Sequence, residues 1–188
     1  MFFDKLFRRA APADDITLRL YGVVVEKARD PAFYARLAVP DTVNGRYDMM
    51  VIHTMLVLRR LRGEGAAADN TGKALLELLF KDMDRSLREM GVGDMGIKHH
   101  IKRMAKAMFG RAQAYEVGLD GDAVALDAAL KENLYRQSQP EVDQITRMAD
   151  YLRRAALHVG TENVADILAG ILNLNVPVLQ EAGGSHVS

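Results

Sequence analysis

Three glycines in the stretch LREMGVGDMGIKHHIKRM, Leu87 to Met104, have the spacing of a phosphate cradle. Gly91, Gly93 and Gly96 match GxGxxG, whose backbone N–H groups hold a pyrophosphate when the loop follows a strand and opens a helix. Glu116 lies about 20 residues further on, where such a site places an acid on the ribose. Here, however, the residues on both sides of the glycines repeat with helical period, and Glu116 follows a basic helix where a strand is needed. The stretch therefore reads as a tight helical hairpin. Gly91 suits the left-handed residue after a helix, Val92 supplies the hydrophobic contact back onto it, and Asp94 suits the cap of the next helix. That turn does not require Gly93 or Gly96, which leaves them free for close backbone approach to another helix or a partner.

The helix before the corner carries Asp82, Asp84, Arg85, Arg88 and Glu89. Asp84–Arg88 and Arg85–Glu89 are i,i+4 pairs and Asp82–Arg85 is an i,i+3 pair, so a solvated face that satisfies itself is one reading, with each pair contributing only about 0.2–0.5 kcal/mol. A face that selects a partner is the other. The helix after the corner is one-sided. No acid occurs from Met95 to Tyr115, whereas Lys98, Lys102, Arg103, Lys106 and Arg111 all do. Lys98, Lys102 and Lys106 share one face and Ile97, Ile101, Met104 and Met108 another, which makes a basic amphipathic helix. Helix, short turn and basic helix also suit a helix-turn-helix, but no Asn, Gln or Arg cluster for reading bases stands at that helix's start. DNA is not expected. Lipid headgroups, ribosomal RNA and an acidic protein surface all remain open as partners of the basic face.

No catalytic set assembles. His53 lies amid Met49, Met50, Leu56 and Val57 at helical neighbour positions and reads as a satisfied core histidine. His99 and His100 are adjacent, so on a helix they point about 100° apart and cannot grip one ion. There is no HExxH, no GxSxG elbow and no Walker loop. The expectation is a protein without cofactor or metal, and not an enzyme.

The charge balance agrees with a local rather than a global electrostatic role. Lys plus Arg and Asp plus Glu are 25 each, so no net field drives the chain onto nucleic acid or lipid. Cysteine is absent, which removes disulfides and thiolate sites and suits a reducing compartment. No apolar run approaches the ~20 residues that span a bilayer. The start, MFFDKLFRR, has no signal-peptide h-region, and suits either a short interfacial anchor or a frayed terminus. The cytoplasm is the expected location.

The elements that would position these residues are all helical. Periodicity predicts helices near 15–29, 31–37, 48–62, 73–90, 95–110, 122–136, 140–159 and 161–172, within an all-α single-domain bundle of seven to nine helices. Ile16, Leu18 and Leu20 also alternate, which leaves a strand open at the first of them. Asp30-Pro31 has the form of an N-cap followed by proline at N1. Residues 64–72 read as a flexible loop, and Ser138 to Glu141 has capping-box spacing. The expected organisation is a flexible basic and aromatic segment over 1–13, a helical domain over 14–180 and a disordered tail over 181–188. Val164 to Leu179 reads as core.

Several segments together resemble the ubiquinol–cytochrome c chaperones, helical assembly factors of the respiratory cytochrome bc1 complex. The carriers are Asp30-Pro31-Ala32-Phe33-Tyr34, Val39-Pro40-Asp41-Thr42, Gly45-Arg46-Tyr47-Asp48 and Leu58-Arg59-Arg60-Leu61. To these add the run from Asp82 to Asp94, DMDRSLREMGVGD, with Gly110-Arg111 and Tyr115 after it. The similarity covers about Tyr21 to Tyr115 and extends toward residue 160. It implies a non-enzymatic chaperone that binds newly made cytochrome b or other bc1 subunits, with a small partner protein and a ribosome contact known in mitochondrial members. Without a long presequence, the expected form is bacterial, working at the cytoplasmic face and peripheral to the inner membrane. The site expected to grip the partner is the hairpin: Asp82, Asp84, Arg85, Arg88, Glu89, Gly91, Gly93, Asp94, Lys98, Lys102, Arg103, Lys106 and Arg111. The alternative is a nucleic-acid or ribosome-binding module that uses the basic helix 95–111.

Overall fold

A computed structural model of the chain describes residues 14–91, 93–121 and 123–179, with backbone only for Asp94, Met95 and Lys98. MFFDKLFRR and the tail 181–188 lie outside these residues. Eight helices and no strand occur among the described residues, so the fold is an all-α bundle.

Local caps set the first two helices. In α1 (Asp15–Ala28) the Asp14 carboxylate accepts from the Thr17 N–H at 2.7 Å. Leu20, Val24 and Ala28 form its buried stripe, which settles the strand ambiguity in favour of helix. In α2 (Pro31–Arg36) the Asp30 carboxylate accepts from the Ala32 N–H at 3.0 Å, with Pro31 at N1 where its missing N–H costs nothing.

The central helix, α3 (Val43–Leu61), begins five residues before the expected start at 48 because Thr42 caps it, its hydroxyl accepting from the Gly45 N–H at 3.1 Å. A Cβ at Gly45 would lie 1.9 Å from the Pro40 carbonyl oxygen, so glycine alone fits where α3 leaves the loop. Residues 51–57 of α3 are all buried, as in a helix surrounded by others. His53 is fully buried there. Its Nδ1 lies 2.8 Å from the Met49 carbonyl oxygen, which can only accept, so Nδ1 carries the proton. Nε2, at 2.7 Å, then accepts from the Tyr151 hydroxyl. The sequence reading of a satisfied core histidine holds.

The predicted loop over 64–72 is an error for most of its length. Gly63 and Gly65 take positive φ and make the break, but α4 (Ala66–Glu89) starts straight after them. Ala66-Ala67-Ala68 is a strong helix-forming run, and Ala68 and Gly72 are buried. The basic helix, α5 (Asp94–Asp120), likewise runs ten residues beyond the expected end at 110. Gly110 only weakens it, since one interior glycine costs about 1 kcal/mol against the packing of a long helix. α6 (Ala123–Asn133) folds back along α5, and Gly118 permits the crossing: a Cβ there would lie 2.7 Å from the Leu126 Cα.

α7 (Val142–Thr161) is capped three residues later than Ser138 would place it. Gln144 Oε1 accepts from the Glu141 N–H at 2.9 Å, while the Ser138 hydroxyl bonds back to the Tyr135 carbonyl at 3.5 Å. The expected final helix is short. α8 (Val164–Leu168) ends at Ala169 and Gly170, the latter with φ +83°. Residues 171–178 continue as an extended strap in which Leu172, Leu174, Val176 and Val178 are buried and the residues between them exposed. Side-chain donors satisfy its carbonyls: Lys27 Nζ donates to Val176 at 2.9 Å and Arg154 to Pro177 at 2.8 Å. The strap is core, as read from the sequence, but with the period of a strand instead of a helix.

Two apolar clusters result. The larger unites α1, α3, α6, α7 and the strap around residues such as Leu20, Ile52, Leu56, Leu130 and Leu152. The smaller joins Tyr47 and Val51 of α3 to Leu79, Met83 and Leu87 of α4 and to Ile97 and Ile101 of α5.

Candidate partner-binding site

The α4–α5 corner is built much as its residues dictate. Gly91 has φ +82° and its N–H donates to the Arg88 carbonyl at 2.9 Å. Gly93, with φ −69° and ψ 155°, caps α5, and its carbonyl accepts from the Ile97 N–H at 3.0 Å. The cap is thus Gly93, and Asp94 is the first helical residue, a shift of one from the sequence expectation. Val92 is outside the described residues. With helices on both sides, the glycines form no dinucleotide loop.

The charges of α4 pair along the helix. Arg88 Nε meets Asp84 at 2.7 Å, Arg85 reaches Glu89 at 4.0 Å, and Arg85 also bonds Asp82. These groups are largely solvated, and such pairs contribute little. Asp82 does more, accepting from the Tyr21 hydroxyl at 3.0 Å and so tying α1 to α4. On α5, Ile97, Ile101, Ala105 and Met108 are buried, while Lys102, Arg103 and Lys106 are exposed. Arg103 lies against His100, its guanidinium 2.8 Å from Nδ1.

Arg111 departs from the basic face. It turns inward and bonds the carboxylate of Asp48, which is 2% exposed. Arg136, from the turn after α6, binds the other oxygen at 2.6 Å. Burial raises the Asp48 carboxyl above its ordinary range, and the two guanidinium groups pull against that. One carboxylate thus joins α3, α5 and the α6–α7 connection.

Beside this clamp, between the start of α3, the end of α4 and the first half of α5, lies a cleft of about 630 Å³. Five arginines line it, Arg29, Arg46, Arg103, Arg111 and Arg136, with Asp82 as the one carboxylate among the described residues. Arg46 is held by Asp41 at 2.7 Å, and Arg111 and Arg136 by Asp48. Arg29 and Arg103 have no carboxylate partner among the described residues. The apolar lining is soft: Met50, Met83, Met90 and Met104, with Tyr47. The Tyr47 hydroxyl is buried and has no hydrogen-bond partner. Burial first, and the nearby Asp48 charge second, hold that phenol protonated far above neutral pH.

Of the residues singled out from sequence, the cleft brings together Asp82, Arg103 and Arg111; Asp84, Arg85, Arg88, Glu89, Gly91, Gly93, Lys102 and Lys106 do not line it. Sequence reasoning missed Tyr47, Asp48, Arg29, Arg46 and Arg136. One signal was available: Asp48 is an acid inside an apolar run, and a buried acid needs a partner. No cluster of metal-ligating residues exists among the described residues.

Residues 35–174 match the family described as ubiquinol-cytochrome C chaperone. The ubiquinol-cytochrome c reductase complex assembly factor 1 of Mus musculus is 25% identical over 151 residues, which are 80% of this chain and 51% of that protein. Its Xenopus laevis counterpart is 23% identical over 151 residues, 80% of this chain and 76% of that one. The chain therefore spans about half the length of the mouse relative. The crystal structure of the Cbp3 homolog from Brucella abortus superposes with a TM-score of 0.77 at 33% identity, covering 93% of this chain and 98% of that one. With three quarters of its length matched and the fold shared, the chain is a member of the ubiquinol-cytochrome c chaperone family.

Proposed function

We propose that this chain is a non-enzymatic assembly chaperone of the cytochrome bc1 complex, holding newly made cytochrome b at the cytoplasmic face of the membrane. The observation that carries the reading is the family match itself. It spans 35–174 and so includes both walls of the cleft, leaving only Arg29 outside among the lining residues. Methionine-rich surfaces repack around varied apolar segments, which suits a chaperone's client. No described helix is long and apolar enough to cross a membrane, so the described residues would meet a membrane client from its surface. A small partner protein on the hairpin's exposed face is compatible with this arrangement. The test is deletion of the gene in the native host. Loss of the spectrally detected bc1 complex, with its transcripts intact, supports the reading; an unchanged level refutes it.

Contact with ribosomal RNA is a second reading, favoured by Lys102 and Lys106, which are exposed on α5 and have no carboxylate partner among the described residues. Phosphate contacts weaken with salt, so ribosome co-sedimentation should fall steeply between low and moderate salt, and K102A/K106A should flatten that slope. Salt-independent sedimentation refutes it.

A further inference from the structure

The chemistry of the cleft's walls says what fits inside it. Guanidinium groups are planar forks matched to carboxylate or phosphate, and two of the five lining the cleft have no acid of their own among the described residues. The buried Tyr47 hydroxyl adds a donor without an acceptor. A buried polar group left unsatisfied is costly, and a ligand oxygen that reached it would remove the cost. The apolar lining is mostly methionine, with Val43 and Leu87, and Met90 and Val43 are 54% and 60% exposed. The cleft thus offers cations without carboxylate partners among the described residues beside adaptable apolar surface, with an orphan donor closed off in its wall.

We propose that the cleft binds an acidic amphipathic segment of a partner polypeptide, its carboxylates meeting Arg29 and Arg103 in the open cleft and, as the wall yields to the segment, the Tyr47 hydroxyl, with its apolar side chains on Met50, Met83 and Met104. The proposal rests on the chaperone reading for the partner's being a polypeptide. A flat anionic bilayer fits less well. The chain is neutral overall, and the exposed α4 surface beside the cleft carries Asp84 and Glu89, so a broad negative surface meets as much repulsion as attraction. A segment that enters the cleft meets the arginines instead. The chain's own start is of the wrong sign, with Lys5, Arg8 and Arg9 against Asp4.

The test uses the full chain and three helical peptides of about 15 residues, identical except that the polar positions flanking a leucine stripe are Glu, Gln or Lys. Fluorescence anisotropy should show the Glu peptide binding, the Gln peptide binding at least about tenfold more weakly, and the Lys peptide not binding. R29Q/R103Q should abolish the preference for Glu over Gln. Tyr47→Phe should weaken the Glu peptide about tenfold, the size of one charge-assisted hydrogen bond, while leaving the thermal midpoint unchanged or raised, because the hydroxyl has no partner to lose. A purely structural tyrosine would lower the midpoint instead. Equal binding of Glu and Gln peptides, no binding of the Glu peptide, or full affinity in Tyr47→Phe overturns the proposal. So does binding to phosphatidylglycerol vesicles in preference to the Glu peptide. Should the peptides fail while gene deletion still removes the bc1 complex, this inference falls and the chaperone reading stands. A harmless deletion with intact Glu-peptide binding gives the reverse.

Discussion

Asp48→Asn is the most direct test of how the cleft is held together. The wild-type carboxylate, 2% exposed, gives one oxygen to Arg111 and the other, at 2.6 Å, to Arg136. Asparagine keeps the shape but has one acceptor. Its amide NH₂ must then face one guanidinium, donor against donor. The loss is at least one charge-assisted bond, worth about 1.5–3 kcal/mol. Breaking a fully buried pair costs about 3–5 kcal/mol, but Arg111 and Arg136 are 17% and 28% exposed and can recover water, which argues for the lower figure. The expected destabilisation is about 2 kcal/mol. For a chain of this length that lowers the thermal midpoint by about 4–8 °C. Urea unfolding followed by circular dichroism measures the first quantity and calorimetry the second. In the double-mutant cycle with Arg136→Gln the two costs should not add, since both remove the same bond. An unchanged urea midpoint, or full additivity in the cycle, would refute the assignment of Asp48 as a clamp.

Gly45→Ala places a Cβ 1.9 Å from the Pro40 carbonyl oxygen, with backbone on both sides unable to yield, and should cost about 3 kcal/mol or more in urea unfolding; a wild-type midpoint contradicts it. Gly110→Ala and Gly118→Ala, on the same helix, should move stability in opposite directions. At Gly110 nothing lies within 4 Å and alanine should stabilise by up to about 1 kcal/mol, whereas at Gly118 the new Cβ would lie 2.7 Å from the Leu126 Cα and should destabilise by about 2 kcal/mol. Like signs for the pair would sink that argument. His53 is pulled down to about 4, chiefly by burial, from an ordinary 6.5. The unfolded chain therefore binds the proton first, so this contribution is present above pH 6.5 and is lost as pH falls toward 4, by about 3 kcal/mol in all. Stability against pH in wild type and His53→Gln should differ in slope only across that window. Parallel curves count against it.

The sequence reveals those parts of the fold whose determinants are local. Asp30-Pro31 announces α2 because cap and first helical residue are adjacent, and the stripe Leu20, Val24, Ala28 overrides the alternation of Ile16, Leu18 and Leu20 because burial follows one face. The Ala66 to Gly72 segment misleads, since small residues suit both a loop and a helix lying close against another, and only the approach of α3, with Leu58 within 3.0 Å of a Cβ at Gly72, decides. The strap fails for a related reason. Leu172, Leu174, Val176 and Val178 carry a period of two, yet no partner strand exists among the described residues, so the pattern signals burial without signalling a sheet. Of the candidate cleft, only Asp82, Arg103 and Arg111 are legible in the sequence. The corner and the basic helix are contiguous and readable, but Asp48 meets Arg111 and Arg136 across 63 and 88 residues, and no spacing rule reaches that far. Tyr47 and Asp48 lie inside a segment that carried the family resemblance, yet their roles emerge only when α5 and the turn after α6 arrive beside them.

The division of the interior into two clusters gives the cleft a mechanical character. α3 serves both: Met49, Ile52 and Leu56 point into the larger cluster, Tyr47 and Val51 into the smaller. The cleft is lined by members of the smaller one, Tyr47, Met83 and Leu87, so its walls rest on far fewer buried side chains than the rest of the molecule. Local opening is least costly where few apolar contacts must be broken. The seam between the end of α4 and the first half of α5 is therefore the least costly to open, although α4 is tied to α1 through Tyr21 and Asp82 and α5 is packed along α6. Asp48, which sits between Tyr47 and Met49 on α3, braces that seam through its bonds to Arg111 on α5 and to Arg136 after α6. Displacing α5 from α3 there would break a buried ion pair.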